Sequence, residues 1–586
     1  MRVRIRIMFA ETTEHEIPVE PGLNLLKTVQ DGGIYLPALC GGQGACGKCT
    51  VRVYTGSLPV TAADRSCLSQ DQLEAGYRLA CAAFPLEDVG IEIYETGEQD
   101  FSTVNTFKQD HQNPCGLKEA LFYLAKDAQS YARQLTADRR LSYSELREVS
   151  KLADIQGRIF ENPTESRKCH VYREQGKILH ISGKPEPVYA VAVDIGTTTL
   201  ALALLDLQTG TILGRFSAVN RQREWGADVI SRIQRANAGD LPLLSRIVRT
   251  QISEGIAALY HEREVPAKAI KKIAIVGNTT MLHLLLQLSC ATLGQTPFTP
   301  VTLDMVSLGY EEIFEGALSC ETLILPGLST YVGADITSGL LFTEIHTKTD
   351  PVAFMDIGTN GELALAYQGK ILCTATAAGP AFEGGNIRWG TGSVPGAIAQ
   401  VRFQDGIWAC TTIGNRPPVG ICGSAVVDIV YQGLKQDLIQ KSGRFNTKLL
   451  PAGELVLAKT QDNRDIVFCQ KDVRELQLGK SAIRSGLDAL LNHAGLDYGD
   501  INTLYLAGGF GFNLNLESGA GIGLIPEALR PKVSLIGNSA LGGAIQFLLN
   551  PDYEKTLYYL IKQSEAFSLP QDRYFNEHFI ANMDFD

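Results

Sequence analysis

Four cysteines carry the clearest chemical signal in this sequence: Cys40, Cys46 and Cys49 in the run C-G-G-Q-G-A-C-G-K-C, and Cys81 in G-Y-R-L-A-C. Two irons bridged by two sulfides need four thiolate ligands, and a glycine-rich loop lets backbone amides turn towards the sulfur atoms. The spacing therefore predicts a [2Fe–2S] cluster held by these four side chains. The glycines that would give the loop this freedom are Gly41, Gly42, Gly44 and Gly47.

The same spacing bears on the type of site. Five residues separate Cys40 from Cys46, as in adrenodoxin-like ferredoxins, whereas plant-type ferredoxins have four. A structural zinc site is the alternative, but such sites usually combine two short C-x-x-C pairs, and this region has one. Cys67 is the nearest remaining cysteine, and we interpret it as a free thiol.

Length and composition restrict the class of protein. A chain of 586 residues is too long for one hydrophobic core and predicts about three or four domains. A net charge of -11 argues against nucleic acid or an anionic membrane as the partner. The thirteen cysteines, most of them scattered, are typical of reduced thiols in a cytoplasmic protein. Neither a signal peptide nor a membrane-spanning stretch is expected.

A repeated turn is the second chemical signal. Residues 189–204 read Y-A-V-A-V-D-I-G-T-T-T-L-A-L-A-L, and residues 352–366 read V-A-F-M-D-I-G-T-N-G-E-L-A-L-A. Each copy predicts an apolar strand, a D-I-G-T turn and a second strand running back, so Asp194 and Asp356 would end matching strands. In such a turn, amides and hydroxyls can donate to phosphate oxygens and a carboxylate can hold magnesium. Two facing copies therefore predict a clamp for a nucleoside triphosphate.

Three further glycine-marked segments accompany the repeat, at 273–283, 418–428 and 504–511. The first predicts a strand followed by a helix that starts after Asn278, and the second opens a helix at Gly423. The third is a strand running into Gly508 and Gly509, where a backbone without side chains can lie flat against adenine. The glycine-rich stretch 537–544 is interpreted first as packing at a helix start.

These signals divide the chain. We expect a β-rich unit at 1–96, a flexible polar linker at 97–115, a middle domain at 116–187, an α/β region at 188–548 with lobes at about 188–350 and 351–548, and an extension at 549–586. In the first unit, strands are expected near 2–8, 15–19, 49–54 and 90–94, with a helix near 23–30. In the middle domain, apolar spacing predicts helices over 116–135 and near 143–153.

The glycine-marked segments and the repeat resemble the phosphate 1, connect 1, phosphate 2, connect 2 and adenosine motifs of the actin, Hsp70 and sugar-kinase superfamily. Combined with the amino-terminal cluster pattern, the chain is similar to the ATP-dependent reductive activators of corrinoid proteins. This similarity extends to G-N-T-T-M-L-H at 277–283, P-G-L-S-T-Y-V-G-A-D-I-T-S-G-L-L at 326–341 and T-A-A-G-P-A-F-E-G-G at 376–385. It implies a multidomain α/β fold with a β-grasp ferredoxin domain, a small middle domain and a two-lobed actin-like (RNase H-like) ATPase domain.

The resemblance also implies a site for ATP and Mg²⁺. In it, Asp194 and Asp356 would position the metal and the phosphates, and Asn278 would orient the attacking water. The implied contacts to the phosphates are Gly196, Thr197, Thr198, Gly358, Thr359, Asn360, Gly361 and Gly423. The implied contacts to adenine and ribose are Gln477, Lys480, Ser481, Arg484, Gly508, Gly509 and Phe510.

The activity implied by the resemblance is one-electron reduction of inactive cobalt(II) to cobalt(I) on a corrinoid protein, driven by ATP hydrolysis. The sequence contains no D-x-H-x-x-G segment of the kind that ligates cobalt in cobalamin domains, so the corrinoid is expected on a partner protein of a methyltransferase system. An upstream electron donor is also required, and a homodimer is a possible assembly.

Two other functions stay open at this point. A redox-regulated small-molecule kinase would use the same ATP clamp, although no acceptor pocket or base can be identified from the sequence. An ATP-gated electron donor to a dehydratase-type enzyme would combine the same two activities.

Overall fold

The computed structural model describes residues 2–8, 13–19, 22–31, 34, 36, 42, 44, 47, 49–94, 116–123, 143–161, 168–316, 318–404 and 406–586. Two of the predicted cluster ligands, Cys40 and Cys46, lie outside the described residues, as does the predicted linker at 97–115.

The amino-terminal unit is a five-stranded mixed sheet with three short helices. Its strands are β1 (Arg2–Met8), β2 (Thr13–Pro18), β3 (Thr50–Thr55), β4 (Tyr77–Leu79) and β5 (Val89–Tyr94), in the order β2-β1-β5-β3-β4. Its helices are α1 (Leu25–Asp31), α2 (Ala62–Cys67) and α3 (Gln70–Glu74). In β1 the arginines alternate with Val3 and Ile5, which are fully buried, so period-two burial explains the strand. The expected strands and helix of this unit are confirmed.

The middle unit corrects one expectation. Its sheet comprises β6 (Leu117–Tyr123), β7 (Lys168–Glu174) and β8 (Lys177–Ser182), and its helix is α4 (Tyr143–Glu161). The predicted helix over 116–135 is wrong where it can be checked, because 117–123 is a strand paired antiparallel with β7 along its whole length. Short apolar runs do not distinguish helix from strand by periodicity, and here the partner strand decides. The helix expected near 143–153 is confirmed.

Two six-stranded sheets form the α/β region. The first sheet has the order β11-β10-β9-β12-β14-β13, and the second has the order β24-β23-β15-β16-β17-β25. The strands of the first sheet are β9 (Tyr189–Ile195), β10 (Thr199–Asp206), β11 (Ile212–Val219), β12 (Ile270–Gly277), β13 (Val306–Gly309) and β14 (Glu321–Ile324). Those of the second are β15 (Val352–Ile357), β16 (Gly361–Tyr367), β17 (Lys370–Thr376), β23 (Thr503–Ala507), β24 (Val533–Gly537) and β25 (Ser564–Ala566).

Smaller sheets and helices surround these two. The smaller sheets contain β18 (Ala397–Gln404), β19 (Ile407–Thr412), β20 (Gly420–Ile421), β21 (Glu454–Lys459) and β22 (Asp465–Cys469). The helices up to residue 342 are α5 (Val229–Arg235), α6 (Leu241–Glu262), α7 (Thr279–Leu286), α8 (Tyr310–Ile313) and α9 (Ala334–Phe342). The later helices are α10 (Gly423–Lys435), α11 (Gln470–Ala494), α12 (Gly508–Asn513), α13 (Leu516–Gly521), α14 (Ser539–Leu549), α15 (Tyr553–Gln563) and α16 (Arg573–Ala581).

Parallel pairing brings the predicted site residues to one edge of each sheet. In the first sheet, β9 and β12 run parallel with Asp194 opposite Val276, so Asp194 and Asn278 lie at neighbouring strand ends. In the second sheet, β15 and β23 run parallel with Asp356 opposite Ala507, so Asp356 lies beside the start of α12. Ligand sites of α/β sheets lie at this carboxyl edge, outside the strand ends.

Helices α9 and α14 cross in close contact beside these edges. The Ser338 hydroxyl donates to the carbonyl of Ala540 at 2.9 Å. A Cβ atom on Gly543 would lie 2.0 Å from the carbonyl oxygen of Ser338, so glycine is required for this approach. Helix α14 shares its hydrophobic core with β9 and β12, which connects the segment after β24 to the first sheet.

Candidate functional site

Both D-I-G-T segments form tight turns between antiparallel strands. The turn from β9 to β10 has Ile195 paired with Leu200, and the turn from β15 to β16 has Ile357 paired with Gly361. The strand–turn–strand prediction for both copies is therefore confirmed. We call these the first turn (residues 194–199) and the second turn (residues 356–361).

The two turns converge on one carboxylate. The hydroxyl of Thr198 in the first turn donates to Oε2 of Glu383 at 3.0 Å, and the hydroxyl of Thr359 in the second turn donates to the same oxygen at 2.9 Å. Two segments about 160 residues apart are thus bridged by the side chain of Glu383. This geometry is what a clamp that holds a triphosphate from both sides requires.

Four acidic side chains influence one another at the turns. Burial raises the pKa of Asp194 to about 7, an effect that a hydrogen bond from Asn538 reduces and the charge of Asp335 increases. Burial also raises the pKa of Asp356 to about 7, with Asp335 and Asp194 adding to the effect. The pKa of Asp335 rises to about 6 through burial, and that of Glu362 rises well above its ordinary value for the same reason.

Such a cluster of carboxyls favours a bound divalent cation, because a cation removes the cost of burying like charges. Among the described residues, no three histidine, cysteine, aspartate or glutamate side chains are already arranged to hold a metal. Mg²⁺ usually takes one or two carboxylates and completes its shell with water and substrate phosphates.

Asn278 lies against the first turn. Its Oδ1 accepts from the amide of Met281 at 3.0 Å, which caps the start of α7, and its Nδ2 donates to the hydroxyl of Thr197 at 3.0 Å. Arg232 supports the same turn from the other side, since its guanidinium donates to the carbonyls of Thr197 and Gly226. Asn278 therefore contacts Thr197, one of the residues predicted to bind the phosphates.

Asn538 is a site residue that the sequence interpretation missed. It caps α14, as expected for a helix start, through a hydrogen bond from the amide of Leu541 to its Oδ1 at 2.8 Å. Its Nδ2 also donates to Oδ2 of Asp194 at 2.9 Å. The signal was present in the sequence, because Gly537-Asn538 repeats the Gly277-Asn278 pair at the end of a strand.

Glu383 and Asp335 were also missed, although both lie in segments that carry the family resemblance. Neither stands at the end of an apolar strand, which is the pattern that identified Asp194 and Asp356. Asp335 lies in the first helical turn of α9, and Glu383 ends a 3-10 turn that follows β17.

Gly508 packs against Asp356 at the start of α12, and Gly423 and Phe510 pack against Phe382. Gly508 has φ +86°, and a Cβ atom there would lie 2.6 Å from Oδ1 of Asp356. Gly423 approaches the carbonyl of Phe382 so closely that a Cβ atom would lie 1.8 Å from its oxygen. The rings of Phe382 and Phe510 are 4.7 Å apart between centroids. Gly509 follows in α12, where its carbonyl accepts from Asn513 at 3.0 Å.

Four of the seven residues predicted to contact adenine and ribose, Gln477, Lys480, Ser481 and Arg484, lie on α11, and residues 579–586 cover them. Gln477 donates to the carbonyl of Met583 at 2.7 Å, and Ser481 donates to the carbonyl of Phe579. Their contact with a nucleotide stays a prediction.

The two basic side chains among these four bind the same segment. Lys480 donates to the carbonyls of Asn582 and Asp584 at 2.7 and 2.6 Å, and Arg484 lies 3.5 Å from the carboxylate of Asp586. Burial lowers the pKa of Lys480 to about 8 despite the nearby acidic groups.

The described part of the cluster region fits a [2Fe–2S] group. Cys49 and Cys81 are both buried, and their backbones are adjacent, because the amide of Ala80 donates to the carbonyl of Cys49 at 2.9 Å. Three loop glycines have positive φ, namely Gly42, Gly44 and Gly47. A Cβ atom on Gly42 would lie 3.9 Å from the Cβ of Cys81, which places the loop against this ligand. The half-buried Cys67 donates to the carbonyl of Gly44 at 3.4 Å.

Three family models match this chain. The "2Fe-2S iron-sulfur cluster binding domain" matches residues 8–86, the "RACo middle region" matches 189–348, and the "C-terminal domain of RACo the ASKHA domain" matches 350–586. A solved structure, "Reductive activator for corrinoid,iron-sulfur protein", is 30% identical, with a TM-score of 0.72, and the match covers 100% of this chain and 98% of that chain. The chain belongs to the family of reductive activators of corrinoid proteins.

Two curated relatives agree with this family. The "Corrinoid activation enzyme RamQ" of Eubacterium limosum is 28% identical over 99% of this chain and 98% of its own length. The "[Co(II) methylated amine-specific corrinoid protein] reductase" of Methanosarcina barkeri is 26% identical over 62% of this chain and 70% of its own length.

Family membership confirms the expected fold class of a ferredoxin-type domain joined to an ATPase domain of the actin and Hsp70 class. It also supports a [2Fe–2S] cluster and ATP as cofactors. None of the helices in the described residues is both long and apolar enough to cross a bilayer.

Proposed function

We propose that this protein uses ATP hydrolysis to drive the one-electron reduction of cobalt(II) to cobalt(I) on a separate corrinoid protein. The observation that supports this most directly is the convergence of both turns on Glu383, in a chain that also has a ferredoxin-type sheet with buried Cys49 and Cys81. A [2Fe–2S] cluster held there supplies one electron at a time. For a one-electron step, each ~59 mV uphill costs a factor of ten in the equilibrium constant, so ATP must supply the difference.

Each predicted site residue has a role in this proposal. Asp194 and Asp356 position Mg²⁺ and the phosphates, and Asn278 orients the attacking water from its place beside Thr197. The turn hydroxyls and amides bind the phosphates. The four residues of α11 and the start of α12 bind the nucleoside.

The proposal also includes the partners and the compartment. The corrinoid protein belongs to a methyltransferase system, and a separate donor re-reduces this protein after each turnover. We place the reaction in the cytoplasm, without nucleic acid or membrane, and include a homodimer as the assembly to be tested by light scattering. The net charge of -11 favours a partner with a basic docking surface.

The test is an anaerobic assay of cobalt(I) formation. The purified chain is mixed with a corrinoid protein in the cobalt(II) state, a reductant and MgATP, and the absorption of cobalt(I) is followed. Cobalt(I) should form only with ATP and should be lost with Asp356→Ala, whereas the exposed control Asp465→Ala should keep it. If cobalt(I) forms equally fast without ATP, the proposal is wrong.

The cluster half of the proposal has its own test. Cys81→Ser should remove or destabilise the [2Fe–2S] absorption and the one-electron EPR signal while leaving ATP binding intact. Cys67→Ser should keep the cluster, because we interpret Cys67 as a free thiol: its Sγ donates to the carbonyl of Gly44 and lies 3.6 Å from the hydroxyl of Ser66. The opposite pattern would show that the fourth ligand is Cys67.

The same preparations distinguish the two alternatives. A small-molecule kinase would transfer the terminal phosphate to an organic acceptor instead of releasing inorganic phosphate. An electron donor to a dehydratase-type enzyme would deliver electrons, on addition of ATP, to acceptors without cobalt.

A further inference from the structure

Glu383 is the described side chain that touches both turns, and the site residues expected from the sequence do not include it. Its Oε2 accepts hydrogen bonds from Thr198 and Thr359. A Cβ atom added to Gly358 would lie 3.7 Å from the other oxygen, Oε1, so the carboxylate lies over the backbone of the second turn. The carboxylate of Glu383 thus lies where a triphosphate bound by both turns would place its terminal phosphate.

The loop that presents Glu383 is held firmly. Residues 380–383 form one 3-10 turn between Gly379 and Gly384, both at φ +75°. The preceding Phe382 is 2% exposed and packs against Phe510. A Cβ atom on Gly384 would lie 2.3 Å from the carbonyl oxygen of Thr391, so this glycine also fits against the next segment. The carboxylate therefore stands on a fixed base and reaches the turns only through its own side chain.

A carboxylate and a terminal phosphate compete for the same donors. The hydroxyls of Thr198 and Thr359 are predicted phosphate contacts, and here one anionic oxygen accepts from both. A phosphate oxygen is an acceptor of the same kind, and two anions at one place repel each other. When ATP binds, the carboxylate must leave both hydroxyls, but the fixed loop keeps it beside the terminal phosphate.

The neighbouring carboxyls are less suited to accept a proton there. Asp194 and Asp356 are the predicted ligands of the metal and the phosphates. Glu362 lies in β16 opposite Asp356, and among the described residues the hydroxyls of Thr198 and Thr359 donate to Glu383 and not to Glu362. Asp335 accepts from the amide of Ile336 at the start of α9 at 2.9 Å, which directs one of its oxygens into its own helix.

We propose that Glu383 is a catalytic residue of ATP hydrolysis and accepts the proton of the attacking water. This inference rests on the proposed function, because it assigns a step of the same ATP reaction. The water oxygen forms a bond to the γ-phosphorus, and the bond from that phosphorus to the β,γ-bridging oxygen breaks. The electron pair of that bond leaves with ADP, and the proton of the water passes to Glu383 and then to the released phosphate. Asn278, beside Thr197, orients the water for this attack.

The test compares Glu383→Gln with the wild-type chain and with the exposed control Glu565→Gln. The glutamine oxygen can still accept from both threonine hydroxyls, but it cannot take a proton at neutral pH. A general base typically contributes 10²- to 10⁴-fold, so kcat for phosphate release should fall by about 100-fold or more. The Kd for a non-hydrolysable MgATP analogue should not rise by more than about threefold, and a lower Kd is compatible with the proposal because glutamine does not repel the terminal phosphate. Glu565→Gln should change neither value.

Two outcomes would overturn the inference. If kcat of Glu383→Gln stays within about threefold of wild type, Glu383 is not the proton acceptor, even if the analogue binds more tightly. If kcat and analogue binding fall together in a folded variant, the side chain acts in binding. If Glu383→Gln does not fold, Glu383→Asp replaces it in the test, because aspartate keeps the carboxylate on a side chain one methylene shorter. Glu383→Asp must then retain more ATP hydrolysis than Glu383→Ala.

The wild-type measurement separates this inference from the proposed function. A wild-type chain that hydrolyses no ATP in the presence of a corrinoid partner contradicts the proposed function. A wild-type chain that reduces cobalt(II) with ATP, beside a fully active Glu383→Gln variant, contradicts the inference about Glu383 alone.

Discussion

The first and second turns share the sequence D-I-G-T, yet different kinds of contact hold them in place. Polar side chains surround the first turn: Asn538 donates to Asp194, Asn278 donates to Thr197, and Asn220 donates to the carbonyl of Gly196 at 2.9 Å.

Close packing of glycine surrounds the second turn. Gly508 lies against Asp356, and a Cβ atom on Gly361 would lie 2.8 Å from the side chain of Ile483. Within the described part of the chain, no side-chain donor contacts the carboxylate of Asp356. The repeat therefore encodes the turn shape that we propose for phosphate binding, while each lobe stabilises that shape with its own neighbours. Substitutions around the first turn and around the second turn should therefore impair activity and stability to different degrees.

The largest expected effect is common to both turns. Asp194→Ala or Asp356→Ala should reduce magnesium-dependent ATP hydrolysis by at least about 100-fold, because each removes a charge that positions the metal and the phosphates. Release of inorganic phosphate measures this loss, with Asp465→Ala as the control. Normal turnover in both variants would mean that the turns are scaffold and do not form the site.

Substitutions next to Asp194 and next to Asp356 should have different effects on the protein. Asn538→Ala leaves Asp194 without its amide donor, and we expect about a tenfold loss of kcat in a protein that stays folded. Gly508→Ala forces a methyl group against Asp356 at φ +86°, and we expect a loss of about 2 kcal/mol in unfolding free energy as well as activity. Chemical denaturation and phosphate release together measure both effects. Equal losses of stability in the two variants would show that the two turns are not held by different kinds of contact.

The pH dependence of stability should sharpen the same comparison. Burial raises the pKa of both aspartates from 3.8 to about 7, so without metal the folded state favours their protonated forms. The metal-free protein should therefore lose stability as the pH rises from about 4 to about 7, because the folded state binds more protons than the unfolded state in this range.

Replacing either aspartate with asparagine should remove its part of this loss of stability at higher pH. In the presence of a chelator at pH 8, Asp356→Asn should gain about 2 kcal/mol of unfolding free energy relative to wild type. Asp194→Asn should gain less, because Asn538 already stabilises the charged form of Asp194. Denaturant midpoints at pH 5 and pH 8 provide the check. If both variants are less stable than wild type at pH 8, the pKa values of Asp194 and Asp356 are not raised in the metal-free protein.

The smallest expected effect lies at the nucleoside end of the site. If Gln477 and Lys480 contact the nucleotide, the segment 579–586 must give up its hydrogen bonds to them. Amide hydrogen exchange in that segment should then increase severalfold when a non-hydrolysable ATP analogue binds. Unchanged exchange with saturating analogue would assign these residues of α11 to packing of the chain end.

Local patterns in the sequence determined much of the site. Apolar strand residues and a glycine-containing turn define each hairpin within about fifteen residues, so the sequence alone predicts Asp194 and Asp356 at strand ends. The start of α7 after Asn278 and the cysteine spacing are local signals of the same kind. Each depends on backbone preferences that neighbouring residues impose on one another.

Contacts between distant segments decided the rest. Glu383 lies 185 residues from Thr198, and Asn538 lies 344 residues from Asp194, so no spacing in the sequence relates them. Residues 117–123 became a strand because β7 offered a partner, although their apolar spacing favoured a helix. Pairing across a sheet and burial of a carboxylate depend on which elements the fold brings together, and only the tertiary structure supplies that information.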